Sequence, residues 1–324
     1  MSDKSQPSNF QKAITGTWHG LPSVFEPDGS HVGFNKVDRE SKFEDGTTTY
    51  YMRTDFQNVG PLRYRFDLGD AQMAFGVIDS DDDRVYCGPD FMGSGRPYGM
   101  LVDSNYYSPG WNTDLRTLNL VLPEHELQVY SSELYEGPTL VAIFNGLYIV
   151  TQDHETNPDT QARVDAFIES ERKAAKQPFV LPVKEAGTWS GELETYDADQ
   201  QLLGTTKIEI EYTPLTLLRA RMRVTMSGVI DRSFTYERSR NGNVHTFEGP
   251  DVWGNGRGYG RYLWSTQHFY GEACKLRGRD TLIDDQHSLC VVWQFFASSK
   301  EQYTVFGVLD WTPGETVLEA RYVE

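Results

Sequence analysis

The residues best suited to chemistry lie between positions 251 and 268 of the sequence. His268 is the first candidate, because an imidazole titrates near neutral pH and can act as a general acid or base. Tyr259 and Asp251 precede it in the same stretch and could exchange a proton with it. If the protein is an enzyme, the sequence therefore predicts a catalytic set of His268, Tyr259 and Asp251.

Aromatic side chains around this set predict a pocket for an apolar or amphipathic molecule. Alternate residues of a strand share one face, so the stretch from 262 to 270 combines phenol, indole, hydroxyl and imidazole groups on one side. Arg257 could hold a carboxylate by its planar fork. The alternative is an ordinary aromatic core with a hydrogen-bonded His268 inside it. The predicted ligand-binding residues are Trp253, Arg257, Tyr262, Trp264, Thr266 and Trp293.

The sequence predicts neither a metal nor a cofactor. Its 7 histidines never occur as paired ligands a helical turn or a strand step apart, as zinc sites require. The acidic run at 79–83 resembles a calcium loop, but Arg84 stands where that loop needs Gly and Asp90 where it needs Glu. We interpret the run as a solvated hairpin loop. The glycines at 254–258 lack the strand-then-helix context of a dinucleotide fingerprint.

Composition restricts the partners. A formal charge of −17 disfavours nucleic acid and anionic lipid surfaces, which attract basic proteins. No apolar stretch is long enough for a membrane helix, and the first residues lack the apolar segment of a signal peptide. The 3 cysteines are an odd number, which is typical of a reducing compartment. We therefore expect a cytoplasmic protein without membrane insertion.

An internal repeat organises the chain. The motif beginning at Gly16 reads GTWHG and the one at Gly187 reads GTWSG. A second motif, at 88–99, matches 249–260, and the same offset continues without a gap to residue 151. The face of the first copy that corresponds to 262–268 carries Leu101, Asp103, Asn105 and Tyr107 and is more polar. The second copy is therefore the predicted working site.

Periodicity predicts the elements that position these residues. Both copies show the two-residue alternation of half-buried strands, as in 217–226, where arginines share one face and apolar residues the other. Between the copies, Asn157 is a suitable N-cap for a helix that extends to about residue 176. The predicted order is a flexible N-terminus with a short helix (1–13), a first barrel (14–151), a helical linker (152–185) and a second barrel (186–324).

The opening motifs resemble those of the lipocalin superfamily. A short helix at 9–14 precedes Gly16-x-Trp18, antiparallel strands follow, and a helix closes the first copy. The duplication is similar to that of two-barrel lipocalin-like proteins, which include cyanobacterial proteins, hydratases and cyclases. The resemblance implies a mainly β fold of two tandem antiparallel lipocalin-like β-barrels joined by one α-helix. The second copy departs from the pattern because no closing helix follows it.

Three classes of function are open at this point. The first is binding of a small hydrophobic or amphipathic ligand in a barrel pocket, which the aromatic wall favours. The second is a cofactor-free enzyme acting on such a ligand, a cyclase, isomerase, hydratase or bilin-lyase-like enzyme, which would need His268 to be functional. The third is a scaffold for other proteins, for which the sequence shows no apolar surface patch. A small-molecule pocket is the favoured interpretation.

Overall fold

A computed structural model describes residues 6–60, 62, 70–80, 82–151, 157–179, 181, 185–284 and 288–317. The chain forms two compact units, Met1–Lys176 and Gln177–Glu324. Each unit contains one closed antiparallel β-barrel, which confirms the predicted fold class. The alternating burial of its strands follows the period of two read from the sequence.

The first barrel closes because β1 pairs with both β3 and β11, and β11 also pairs with β2. All its strand pairs are antiparallel, and each strand from β3 to β11 pairs with the next one in sequence. Its strands are β1 (Gly16–Gly20), β2 (Ser23–Phe25), β3 (His31–Glu44), β4 (Thr47–Gln57), β5 (Asp70–Asp79), β6 (Arg84–Cys87), β7 (Met92–Tyr98), β8 (Leu101–Ser108), β9 (Thr113–Leu122), β10 (Leu127–Glu136) and β11 (Thr139–Thr151).

The second barrel follows the same meander and closes where β12 pairs with the last strand, β21. Trp189 on its first strand is fully buried, as Trp18 is in the first barrel. Its strands are β12 (Glu185–Asp197), β13 (Leu202–Thr216), β14 (Arg219–Gly228), β15 (Arg232–Asn241), β16 (Val244–Glu248), β17 (Val252–Tyr259), β18 (Tyr262–Phe269), β19 (Cys274–Leu282), β20 (Ser288–Ala297) and β21 (Lys300–Thr316).

Two α-helices accompany the first barrel. Helix α1 (Asn9–Ile14) is capped by Ser8, whose hydroxyl accepts a hydrogen bond from the Gln11 amide. Helix α2 (Pro158–Ala174) begins at the predicted cap, Asn157, and packs on β1 and β11. No helix in the described ranges has both the length and the apolar composition needed to cross a membrane.

The hairpin of β13 and β14 shows how sequence alternation becomes a barrel wall. The side chains of Met222 and Val224 are buried, whereas Arg221 and Arg223 are exposed, so the arginine stripe lies outside as predicted. Arg223 lies opposite Glu211 in the strand register, and their charged groups are 3.9 Å apart. The arginine stripe therefore provides charge pairing across the outer surface of the hairpin.

The interiors of the two barrels differ. The second barrel contains one continuous apolar cluster that extends from Phe179 to Leu309 along the chain. The described interior of the first barrel is divided into separate apolar clusters, around Val24, Trp18 and Tyr50. The first barrel also buries charged and aromatic side chains, among them Asp79, Arg84 and Tyr86.

Candidate functional site

The predicted site on β17 and β18 lies on the outer surface of the second barrel. Trp253 is 47% exposed, and the exposed His268 lies opposite it in the register, with ring centroids 6.1 Å apart. Trp264 lies opposite Arg257, and Thr266 lies on the same face. The structure therefore brings these residues together, but the prediction that they line an interior pocket is wrong.

The register of β18 explains this correction. Its inward side chains are Leu263, Ser265, Gln267 and Phe269, of which the two apolar residues belong to the core cluster. The strand carries bulky residues on both faces, so alternation alone does not tell inside from outside, and a shift of one residue exchanges the faces. The same shift applies to the first barrel, where Asn105 and Tyr107 are exposed and Tyr106 is only partly so.

The other predicted residues contact a turn, a hairpin tip or the apolar core of the second barrel. A carboxylate oxygen of Asp251 accepts a hydrogen bond of 2.7 Å from the Thr235 amide, which fixes a turn. Tyr259 and Tyr262 are each 1% exposed and lie next to each other at the tip of the β17–β18 hairpin. Trp293 is the one predicted ligand-binding residue that belongs to the core cluster. The catalytic roles of His268, Tyr259 and Asp251 stay predictions that their positions do not favour.

The candidate site is the interior of the first barrel, at Arg39. Arg39 lies on the inward face of β3, between the buried residues Val37 and Ser41. Its guanidinium carbon is 6.0 Å from the ring centroid of Trp18 and 5.7 Å from those of Tyr50 and Tyr148. Such packing provides cation–π attraction from three sides.

This guanidinium faces no carboxylate among the described residues. Its Nη2 donates a 2.7 Å hydrogen bond to Oε1 of Gln128, and its buried Nε has no hydrogen-bond partner. Burial lowers the pKa of Arg39, partly offset by neighbouring tyrosines. The side chain nevertheless keeps an intermediate accessible surface. A side chain that is enclosed by the barrel and still accessible lines internal space, so Arg39 provides an unneutralised cation in that space.

Tyrosine hydroxyls complete the polar part of this interior. Burial raises the pKa of Tyr130 to about 12, and it also raises the pKa values of Tyr50, Tyr106 and Tyr148. These phenols therefore stay protonated at neutral pH and can donate hydrogen bonds. Partly accessible apolar side chains pack beside them, namely Met52, Phe56, Phe75, Phe91 and Leu115. The interior can thus hold a molecule with one polar end and an apolar body.

Strand register shows that this chemistry is specific to the first copy. Arg39 lies opposite Trp18, whereas Ile210 lies opposite Trp189. The offset of the second motif also holds in the structure, because Arg84 pairs with Gly95 in the first barrel and His245 pairs with Gly256 at the equivalent positions of the second. Residues of the two barrels can therefore be compared at this offset. Other polar residues of the first barrel correspond to apolar or amide residues of the second: Tyr86 to Phe247, Tyr106 to Gln267, Tyr130 to Val291 and Tyr148 to Leu309.

A buried ion pair closes one end of the first barrel. Asp79 and Arg84 both have fully buried side chains and are hydrogen bonded to each other. Arg84 also donates to the Tyr50 hydroxyl over 3.0 Å, and Asp79 accepts a 2.9 Å hydrogen bond from the Ser8 amide. The interpretation of residues 79–83 as a solvated loop is therefore wrong for Asp79, although Asp83 is exposed.

The second barrel contains a partly buried acid of its own, Asp280. Asp280 accepts a 2.9 Å hydrogen bond from the indole Nε1 of Trp293. Burial raises the pKa of Asp280 to about 6, against the opposing effects of this hydrogen bond and of Arg238. Burial also raises the pKa of the Cys290 thiol, which keeps that cysteine protonated. In the described part of the chain, no group of three His, Cys, Asp or Glu residues could hold a metal ion.

Sequence reasoning missed Arg39 and its tyrosines, although part of the signal was present. The repeat aligns Tyr130 with Val291 and Tyr148 with Leu309 without a gap, so these differences between copies can be read directly. Arg39 and Ile210 keep the offset of the opening motif. What the sequence does not reveal is that all these positions face one interior, because that depends on strand register.

Comparison with known proteins supports the fold alone. No protein-family model and no curated protein matches the chain. A protein of unknown function from the DUF3598 family of Nostoc punctiforme has a similar structure, with a TM-score of 0.56 and 11% identity, covering 96% of this chain and 99% of that one. At this identity the likeness shows a common fold, and the chain is a tandem two-barrel protein.

Two further matches are too dissimilar to support an argument. Kievitone hydratase from Nectria haematococca has a TM-score of 0.19 and 10% identity, covering 98% of this chain and 94% of that one. A putative outer membrane protein from Bacteroides fragilis has a TM-score of 0.23 and 8% identity, covering 94% of this chain and 100% of that one.

Proposed function

We propose that the protein binds a small amphipathic molecule inside the first barrel, with the anionic end of that molecule at Arg39. The observation that carries this proposal is the enclosed guanidinium, which donates a single hydrogen bond, to Gln128, and has no carboxylate beside it. An uncompensated buried charge is costly, and a ligand anion would remove that cost. The partly accessible apolar side chains nearby would take the rest of the ligand.

Binding without chemical conversion is the role that these groups favour. The tyrosines around Arg39 have raised pKa values, so at neutral pH they donate hydrogen bonds and do not act as bases. The enzyme alternative was based on His268, which lies on the outer surface of the other barrel. A carrier or storage role in the cytoplasm is therefore our proposal.

We further propose that the chain is a member of the lipocalin-like superfamily. Helix α1 precedes Gly16-x-Trp18, the strands form an up-and-down barrel, and α2 packs against it. The indole Nε1 of Trp18 donates a 2.9 Å hydrogen bond to the carbonyl of Ile14, which ties α1 to the first strand. This arrangement supports the assignment for the first copy, and the register of Trp189 extends it to the second.

The test uses two fluorescent probes that differ in one charged group. Anilinonaphthalene sulfonate is an amphipathic anion, and phenylnaphthylamine lacks its sulfonate. We expect Arg39→Ile, which installs the residue of the second barrel, to weaken binding of the sulfonate probe at least about tenfold, because a hydrogen bond to a charged group contributes about 1.5–3 kcal/mol. Binding of the neutral probe should change by less than about twofold.

The control is Arg53→Ile, which removes an exposed arginine from the outer face of β4. It should leave the affinities of both probes unchanged. Equal affinity of wild type and Arg39→Ile for the sulfonate probe would contradict the proposal, as would an equal loss of both probes. Circular dichroism of each variant checks that it is folded, so that a loss of affinity is not caused by unfolding.

A further inference from the structure

A cleft lies at one end of the second barrel. It is an open depression, and the empty space among its lining residues is about 340 Å³ when open solvent is included. Its floor is formed by buried side chains of Phe179, Leu181, Tyr212, Arg238 and His245. Leu217 and Leu218 form its rim at the turn between β13 and β14 and are 65% and 52% exposed.

Arg238, His245 and Tyr212 provide hydrogen-bond donors to this cleft. Arg238 is 8% exposed and donates Nε and Nη2 to Nδ1 of His245, over 3.2 and 3.0 Å. Burial lowers the pKa of His245 to about 2, with Arg238 and Arg240 acting in the same direction. The imidazole is therefore neutral with its proton on Nε2, which makes that atom a potential donor to a ligand. Burial raises the pKa of Tyr212 to about 12, so its hydroxyl is a donor too.

The cleft provides no negative charge to balance these donors. None of its lining residues is acidic. Among the described residues no ion pair neutralises Arg238 or Arg240, and Asp280, the acid that interacts electrostatically with Arg238, is hydrogen bonded to Trp293. A buried guanidinium whose partner is a neutral imidazole is costly, and an anion in the cleft would offset that cost.

At the equivalent positions of the first barrel, the protein itself provides a carboxylate. By the repeat offset, Arg240 and His245 correspond to Asp79 and Arg84, which form a closed ion pair. Phe10 packs on Arg84 with 4.9 Å from guanidinium carbon to ring centroid, and Phe179 packs on His245, the counterpart of Arg84, with ring centroids 6.2 Å apart. The aromatic cover is thus similar, whereas the acid of the first barrel is replaced by a second cation.

We infer that this cleft is a second binding site, specific for a small organic carboxylate with an apolar group. The carboxylate would accept from Arg238, Arg240 and the hydroxyl of Tyr212, and planar guanidinium groups suit the two oxygens of a carboxylate. The apolar group would lie against Phe179 and the rim leucines. The site is independent of the first barrel, because its residues all belong to the second unit.

Calorimetric titration with hexanoate, hexanol and inorganic phosphate tests the inference. Wild type should bind hexanoate more tightly than hexanol or phosphate, since only hexanoate matches both halves of the cleft. We expect Arg240→Asp, which installs the residue of the first barrel, to weaken hexanoate binding at least about tenfold through loss of a cation and gain of like charge. The double variant Arg240→Asp, His245→Arg recreates the ion pair of the first barrel and should abolish binding.

Two controls keep the outcome interpretable. Arg221→Asp makes the same charge change on the outer face of β14 and should leave hexanoate affinity within about twofold. Arg39→Ile removes the anion site proposed for the first barrel, so hexanoate binding that survives in this variant and is lost on adding Arg240→Asp belongs to the cleft. If Arg240→Asp fails to fold, Leu218→Ala should lower the affinity for hexanoate without changing that for phosphate.

Several results would overturn the inference. One is the absence of hexanoate binding, or binding that neither Arg240→Asp nor Leu218→Ala reduces. Another is tighter binding of phosphate than of hexanoate, which would mean that the apolar side chains of the cleft do not contribute to binding. Retained hexanoate binding in the double variant would count against the site as well.

Discussion

At the scale of single residues, the two barrels differ at positions where a polar group replaces an apolar or neutral one. Arg39 corresponds to Ile210 and Asn119 to Asp280, so each barrel has a partly buried charged residue where the other barrel has a neutral one. The charge in the first barrel is enclosed without a carboxylate, which suits a ligand anion. The charge in the second barrel is a carboxyl whose protonation is coupled to stability.

The coupling has a definite sign. The pKa of Asp280 is raised to about 6 in the folded protein, whereas an unfolded Asp titrates near about 3.9. Between these values the folded state binds more protons, so stability decreases as pH rises through the window, by up to about 1.4 kcal/mol per pH unit. We expect Asp280→Asn, the residue of the first barrel, to stabilise the protein by about 1–3 kcal/mol above pH ~6 and to have little effect below pH ~4.

Urea unfolding followed at several pH values measures this difference. His245 also titrates between the two states, because its pKa is lowered to about 2, but its contribution is the same in both proteins and cancels. Asp199→Asn, at an exposed turn, is the control and should show no pH-dependent difference. A stabilisation by Asp280→Asn that does not change with pH would contradict the assigned coupling.

At the scale of elements, the short helix α1 depends on the buried pair beneath it. A helix of 6 residues is too short to be stable by itself, so tertiary contacts must hold it. The Ser8 amide donates to Asp79, and the Tyr50 hydroxyl donates to the Gln11 side chain over 2.9 Å. These hydrogen bonds to polar groups of the first barrel hold α1 in place over the barrel.

Removing the acid of this pair should therefore loosen both the helix and the barrel. Asp79→Asn keeps the shape of the side chain but leaves Arg84 as a buried, unpaired cation, which typically costs about 3–5 kcal/mol. We expect a loss of this size in the free energy of unfolding and faster hydrogen exchange of the α1 amides. Asp83→Asn, in the exposed turn nearby, should change neither quantity. A loss below about 1 kcal/mol would mean that the pair does not support the barrel end.

The strands also differ in whether their inward faces could be predicted from the sequence. The hairpin of β13 and β14 was predictable because Arg219, Arg221 and Arg223 are charged and must face water. The face of β18 was not, because Ser265 and Gln267 point inward while Trp264 and His268 point outward, against the usual preference of these residue types. Barrel closure, which no local pattern encodes, decides that orientation.

At the scale of the whole molecule, duplication produced two barrels with similar strand order and different interiors. The second has one continuous apolar cluster, which favours stability over capacity for a ligand. The first has divided clusters and buried charges, which is the pattern expected of a binding site, where stability is sacrificed for function. The two units have therefore specialised in different directions from one common fold.

This specialisation predicts different stabilities for the two units. We expect fragments 1–176 and 177–324 to fold separately, since each closes its own barrel and buries its own core. The second fragment should melt at the higher temperature, because its buried apolar side chains form one continuous cluster. Circular dichroism melts of both fragments measure this order. Anilinonaphthalene sulfonate should raise the melting temperature of the first fragment through binding to its folded state. A second fragment that is unfolded, or that melts below the first, would show that the continuity of an apolar core does not set stability here.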